Sequence, residues 1–241
     1  TLSVSGEAQC RGLWSEKPEA SCKGKLHSPR LHVYNDGPKP TTIIEVLDMS
    51  TQGEVKIDLN QVEYDATLKV GKSSLGQSKG IVNYETGFKI GYEGQKLDFQ
   101  DLKNLANLKF EGLAQVRGTT TGDSKRASLE MNFTGQNLWF EHYPLGELRS
   151  KIGYKKGHLT LNDVEGIFEV THYNGDLDID LREKNLKISA NIPFTDLKDV
   201  QQMFQKKIAL PIKASGTGQA KLEAHGPFRL QDMTYDLRSS F

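Results

Sequence analysis

The chain is poor in what most functional classes require. Its 241 residues contain no Gly-x-Ser-x-Gly nucleophile elbow. The six histidines, His27, His32, His142, His158, His172 and His225, are scattered with no common spacing. Gly216-Thr217-Gly218 lacks the third glycine of a phosphate cradle and leads into strand-like residues. Asp176, Asp178 and Asp180 suggest a calcium loop, but they alternate with Leu177, Ile179 and Leu181. Leu181 and Lys187 stand where that loop needs its glycine and its terminal glutamate, so the three acids form the wet face of a strand. Asn132-Phe133-Thr134 matches a glycosylation acceptor but sits inside a strand pattern. Neither an enzyme nor a bound metal or cofactor is expected.

Charge of one sign is lacking too. With 31 basic and 31 acidic residues, mixed along the chain, the net charge is zero and no basic stripe marks a nucleic-acid partner. No apolar run is long enough to cross a bilayer, and no signal-like segment opens the chain at Thr1. A processed protein or a soluble region of a membrane-anchored one is expected. The apolar share is only 36%, below the usual globular content. So thin a supply suits sheets with one buried and one wet face.

There are two cysteines, Cys10 and Cys22, close together near the start. A loop-closing disulfide in an oxidising compartment fits that spacing and would contribute about 3 kcal/mol. A zinc site with His27 and His32 is the sharper alternative, although the tight Cys-x-x-Cys knuckle is missing. Two unrelated free thiols are the plainer one. Residues 1–40 also carry Pro18, Pro29, Pro38 and Pro40 and the turn pair Asp36-Gly37, and read as an edge or cap.

What the chain has in quantity is alternation with period two. Strands of about five residues between turn signals are expected at Ile43–Leu47, Val55–Leu59, Tyr64–Val70, Gly80–Tyr84, Gly87–Tyr92, Lys96–Phe99, Ala114–Arg117, Ala127–Phe133, Leu138–Glu141, Glu147–Tyr154, His158–Leu161, Ile167–Tyr173, Asp176–Leu181 and Leu186–Ile192. More follow over 212–237. Leu102, Leu105 and Ala106 suggest one short helical turn. The polar stretch 118–124 reads as a mobile loop. One helix is expected over 196–207, capped by Thr195, with Asp196 and Asp199 in its first turn and Lys206 and Lys207 in its last. Leu197, Val200, Met203, Phe204 and Ile208 form its apolar stripe. The expected architecture is mainly β: an elongated, curled antiparallel or mixed sheet with this short helix, divided at 1–40 and 41–241, with sub-repeats at 41–118 and 119–241.

Two echoes suggest internal repetition. Leu75-Gly76, Ile81, Tyr84 and Gly87–Ile90 match Leu145-Gly146, Ile152, Tyr154 and Gly157–Thr160. Asp101-Leu102-Lys103-Asn104-Leu105 matches Asp196-Leu197-Lys198-Asp199-Val200.

The run Leu145–Gly166, Leu-Gly-x5-Ile-x-Tyr-x-x-Gly-x-Leu-x-Leu-x-x-Val-x-Gly, resembles the repeat of the TamB and AsmA-like periplasmic proteins of Gram-negative bacteria. Asp196–Lys198, then Gly216-Thr217-Gly218 and Lys221–Phe228, is similar to that family's helix, Gly-x-Gly and Gly-Pro-aliphatic strand end. The resemblance covers about 42–241. It implies a periplasmic segment of an inner-membrane-anchored protein, folded as a trough of β-sheet with an apolar interior. Phospholipid is the implied cargo, moving between the two membranes, and an outer-membrane β-barrel the implied partner. The residues expected to line the trough are Leu129, Met131, Phe133, Leu138, Phe140, Ile152, Tyr154, Leu159, Leu161, Phe168, Val170, Leu177, Ile179, Leu181, Leu186, Ile188 and Ile192. Alternation marks a buried face but not what buries it, so the same residues serve equally well as the dry core of a β-sandwich. A scaffold docking an assembly partner by strand addition is the alternative function.

Overall fold

The computed structural model describes residues 3–13, 16, 18–34, 42–105, 109–123, 126–140, 143–204, 215–227 and 232–241. The expected turn at 35–38, Pro40, Ala106, Lys206, Lys207, Ile208 and the strand pieces at 212–214 and 228–231 lie outside them. The fold is mainly β, all its described strand pairs are antiparallel, and it forms two compact units, Thr1–Ala127 and Ser128–Phe241.

In the first unit β1 (Ser5–Leu13), β2 (Glu19–Tyr34), β3 (Thr42–Ile57), β4 (Gln61–Val70), β5 (Ser74–Asn83), β6 (Gly87–Asp98) and β8 (Phe110–Gly122) pair in that order. A 3-10 turn, Phe99–Asp101, separates β6 from β7 (Leu102–Leu105), which pairs with β3. In the second unit β9 (Ala127–Phe140), β10 (Tyr143–Lys155), β11 (His158–Phe168), β12 (Thr171–Asp180), β13 (Asn185–Asp196), β14 (Thr217–Pro227) and β15 (Thr234–Ser240) form a meander, with helix α1 (Leu197–Phe204) after β13.

Most strands are about twice the expected length. Asp48, Asn137 and Asp163 adopt φ of 57°, 51° and 52° inside β3, β9 and β11. At Asn137 and Asp163 the register shifts by one residue without ending the strand, which is the behaviour of a bulge, whereas β3 keeps its register with β2 through Asp48. Ile43–Leu47 and Val55–Leu59 therefore belong largely to one strand. The reverse error occurs at 167–173, where a turn at Glu169 and Val170 divides the expected single strand. The stretch Gly118–Gly122, expected as a mobile loop, is the end of β8, paired residue by residue with Phe88–Tyr92 of β6. Residues 102–105 are strand, and the helical turn lies just before them.

The N-terminal segment pairs into the first unit's sheet, β2 with β3 along most of its length and β1 at the edge. Cys10 and Cys22 face each other across β1 and β2 and are disulfide-bonded, which rules out the zinc alternative. Pro29 is tolerated within β2 because, among the described residues, β1 reaches only to His27 and leaves β2 an edge beyond that point.

Both sheets curl. A three-residue 3-10 turn carries the chain from β6 to β7, which pairs with β3, a strand three places from β6 in the sheet order. In the second unit α1 reaches from β13 to β10 with eight residues, about 12 Å.

Candidate functional site

The second unit carries one face of aligned apolar rows. The register sets Leu129 beside Tyr154, then Leu159, Ile179 and Leu186. Met131 lies beside Ile152, then Leu161, Leu177, Ile188 and Ala224. Opposed residues share a face and every second residue along a strand returns to it, so these two rows, with Phe133 and Ile192, belong to one surface. Leu138 joins it after the Asn137 bulge. Its side chain lies over Gly135, where an added Cβ would come within 2.2 Å of it. Phe168 ends β11 opposite Thr171, and Phe140 ends β9 opposite Tyr143. Val170 and Leu181 fall in turns, 50% and 43% exposed, outside the rows.

This face has no second layer among the described residues. Leu138 and Ala224 are buried, while the other row members are half-buried and no large side chain among the described residues is completely enclosed. A sandwich core of this area would enclose several. The opposite face is exposed and charged, with Arg149–Glu165, Lys151–Asp163 at 2.8 Å and His158 Nδ1–Asp178 at 3.2 Å. The difference in exposure between equally paired faces follows from curling toward the apolar one.

The register adds residues that alternation left out: Leu148, Val164, Tyr173, Ala190 and Leu222. Leu148, Gly166 and Tyr173 form one row, and Val164, Gly175, Ala190 and Leu222 another. The bulge at Asp163 and the turn at Glu169 change the phase, so Val164 and Tyr173 look out of step in the sequence. The Tyr173 ring occupies the space above Gly166, and its hydroxyl donates to the Leu145 carbonyl at 2.7 Å. Burial pushes this phenol up to about 12.

Each unit carries a short helical element anchored by an aspartate. In the second unit Asp199 accepts from the Val170 N–H at 3.1 Å and the Thr171 hydroxyl at 2.7 Å, and Thr171 lies 3.0 Å from Thr195; Thr171, Thr195 and Asp199 are buried. In the first, Asp101 accepts from the N–H groups of Lys72, Ser73 and Ser74 and from both serine hydroxyls. Burial opposes that carboxylate's charge, but these donors outweigh it and hold it at about 2. Asp196 Oδ1 receives the Lys198 N–H as Asp98 Oδ1 receives that of Gln100. Asp196, not Thr195, therefore caps α1.

These anchors correct the internal repeat. Asp98-Phe99-Gln100-Asp101 corresponds to Asp196-Leu197-Lys198-Asp199, three residues from the match read off the sequence. Asn83 accepts from the N–H groups of Glu85 and Thr86 as Asp180 does from those of Arg182 and Glu183. The segment β5, β6 and 3-10 turn thus recurs as β12, β13 and α1, whereas sequence similarity aligned β5 and β6 with β10 and β11.

A polar cluster in the first unit resembles catalytic machinery. His32 Nε2 lies 2.7 Å from the Thr42 hydroxyl. Its Nδ1, however, meets the Tyr34 hydroxyl at 2.5 Å and the Arg30 guanidinium at 3.3 Å, where a general base needs an orienting carboxylate. No group of three or more His, Cys, Asp or Glu side chains suited to a metal ion occurs among the described residues, and no described helix is long and apolar enough to cross a membrane. No protein-family model, curated protein or solved structure matches the chain.

Proposed function

We propose that the apolar face of the second unit holds the acyl chains of phospholipid, in a periplasmic segment of a TamB- or AsmA-like envelope protein. The observation that carries this reading is the set of in-register apolar rows left half-exposed by the fold. Along β10 the face runs from Tyr154 to Leu148, about 20 Å, against about 15 Å for the chains of one bilayer leaflet. Each methylene taken from water contributes about 0.8 kcal/mol, so holding and sliding a lipid needs no hydrolysis. The disulfide agrees with an oxidising compartment, and the Leu145–Gly166 motif with the family.

The test is native mass spectrometry of the purified full chain with phospholipid, beside the Ile179→Glu variant. Ile179 is half-buried and bordered by Leu159 and Leu186, so a carboxylate there keeps the sheet while breaking the rows. Lipid adducts on the wild type that the folded variant loses are the expected result, and a wild type without adducts refutes the reading.

A second reading rests on edges. Every residue of β1 and β15 is exposed, a geometry suited to docking an outer-membrane assembly partner by strand addition. Photoprobes on β15 would then crosslink to a protein more strongly than probes at Ile152 or Leu177.

A further inference from the structure

The two ends of the second unit's apolar face differ in charge. Among the described residues, Glu169, Asp196 and Asp199 stand at the α1 end with one cation, Lys198. At the other end two turns lie side by side: the Lys156-Gly157 turn between β10 and β11, and residues 181–184 between β12 and β13. The Leu181 N–H donates to the Gly157 carbonyl at 2.9 Å. The Arg182 side chain lies against the first turn, since a Cβ on Gly157 would stand 2.7 Å from its Nε.

Lys155, Lys156, Arg182 and Lys184 are all exposed there. The described ion pairs of this unit, Arg149–Glu165, Lys151–Asp163, His158 with Asp178 and Asp180, and Arg238–Asp236, use none of them. The acids within these two turns and their flanks are Asp180 and Glu183, with Asp232 described after β14; Asp180 is engaged by two backbone N–H groups, by His158 and, through its charge, by Arg182. The turns begin two residues beyond the row Tyr154, Leu159, Ile179 and Leu186, about 7 Å along the strands. Lysine and arginine stems span that distance over apolar surface with their charges in water.

The fold does not require these cations. In the first unit the turn corresponding to 181–184 is Tyr84-Glu85-Thr86, held by Asn83 as Asp180 holds its own turn. The turn corresponding to Lys156-Gly157 holds Asp58, Leu59 and Asn60. Turns at the corresponding places of the first unit are thus built without a basic residue.

We infer that the basic turns of the second unit, Lys156 with Arg182 and Lys184, bind the anionic headgroup of a phospholipid whose chains lie on the adjoining apolar rows. The inference rests on the proposed function and adds to it a headgroup class and an orientation, with the head at the hairpin turns and the chain ends toward α1.

The experiment equilibrates the full chain with an equimolar dispersion of phosphatidylglycerol and phosphatidylcholine bearing identical chains, and measures bound lipid by native mass spectrometry. About tenfold enrichment of phosphatidylglycerol is expected at low salt, falling as salt rises. In a Lys156→Glu, Arg182→Glu, Lys184→Glu variant the ratio falls to about one, and in Lys198→Glu at the other end it persists. A Lys156→Gln, Arg182→Gln, Lys184→Gln variant gives the same loss should the charge reversal impair folding, which circular dichroism reports. Equal binding of the two lipids by the wild type overturns the headgroup site and leaves the groove standing. Enrichment that survives in a folded triple variant overturns its placement. Binding of neither lipid overturns groove and site together.

Discussion

Asp101 and Asp199 perform the same task in different surroundings, and this sets two expectations at the scale of single residues. Removing an acceptor from a buried set of donors costs about 1–3 kcal/mol. Asp199 is 5% exposed and Asp101 is more open, so water replaces the lost acceptor more readily at Asp101. In urea unfolding Asp199→Ala should lower stability by about 2–3 kcal/mol and Asp101→Ala by about 1–2 kcal/mol. The carboxylate of Asp101 is held at about 2, below its ordinary 3.8. A depressed carboxyl contributes stability fully above the unfolded value and loses it as pH falls through the folded one. The first unit should therefore weaken between pH 3.8 and about 2 through this group, and Asp101→Asn should flatten stability against pH in that window. Only the tertiary structure reveals these two anchors, because the donors lie 27 and 28 residues away in the chain.

Among elements, the hairpin of β10 and β11 was legible because Lys156 and Gly157 both adopt positive φ, 52° and 90°, in the tight turn that joins twisted strands. The turn at Glu169-Val170 was not legible, since no glycine or proline marks it and the Asp199 contact fixes it from outside. The bulge at Asp163 was equally hidden, as an aspartate in a polar stretch signals a turn as readily as a bulge. The disulfide joins the edge strand β1 to β2 and closes a loop with a sequence separation of 12. A Cys10→Ser, Cys22→Ser variant should lose about 3 kcal/mol, read as a lower urea midpoint. Hydrogen exchange should show the loss first in β1, which is exposed throughout.

At the scale of the molecule, apolar rows left open in the native state distinguish this fold from a sandwich. The native protein should bind an apolar fluorescent dye under conditions where it is fully folded, and phospholipid should displace the dye. A closed core would bind dye only on partial unfolding. Ile188→Ala should cost less than the about 2–5 kcal/mol of a buried isoleucine, because the side chain is half-buried and leaves no sealed cavity. Thermal or urea unfolding measures that difference directly.

The sequence by itself determined the class of fold, the alternating face with most of its residues and the existence of the helix, since each depends on local periodicity; between a disulfide, a zinc site and free thiols the structure decided. It did not determine strand length, the phase of the repeat or the residues that anchor each helical element, because those depend on bulges and on hydrogen bonds between distant segments. Nor did it decide between an open face and a dry core. Alternation is identical in the two cases, and only the placement of a second layer, or its absence among the described residues, separates them.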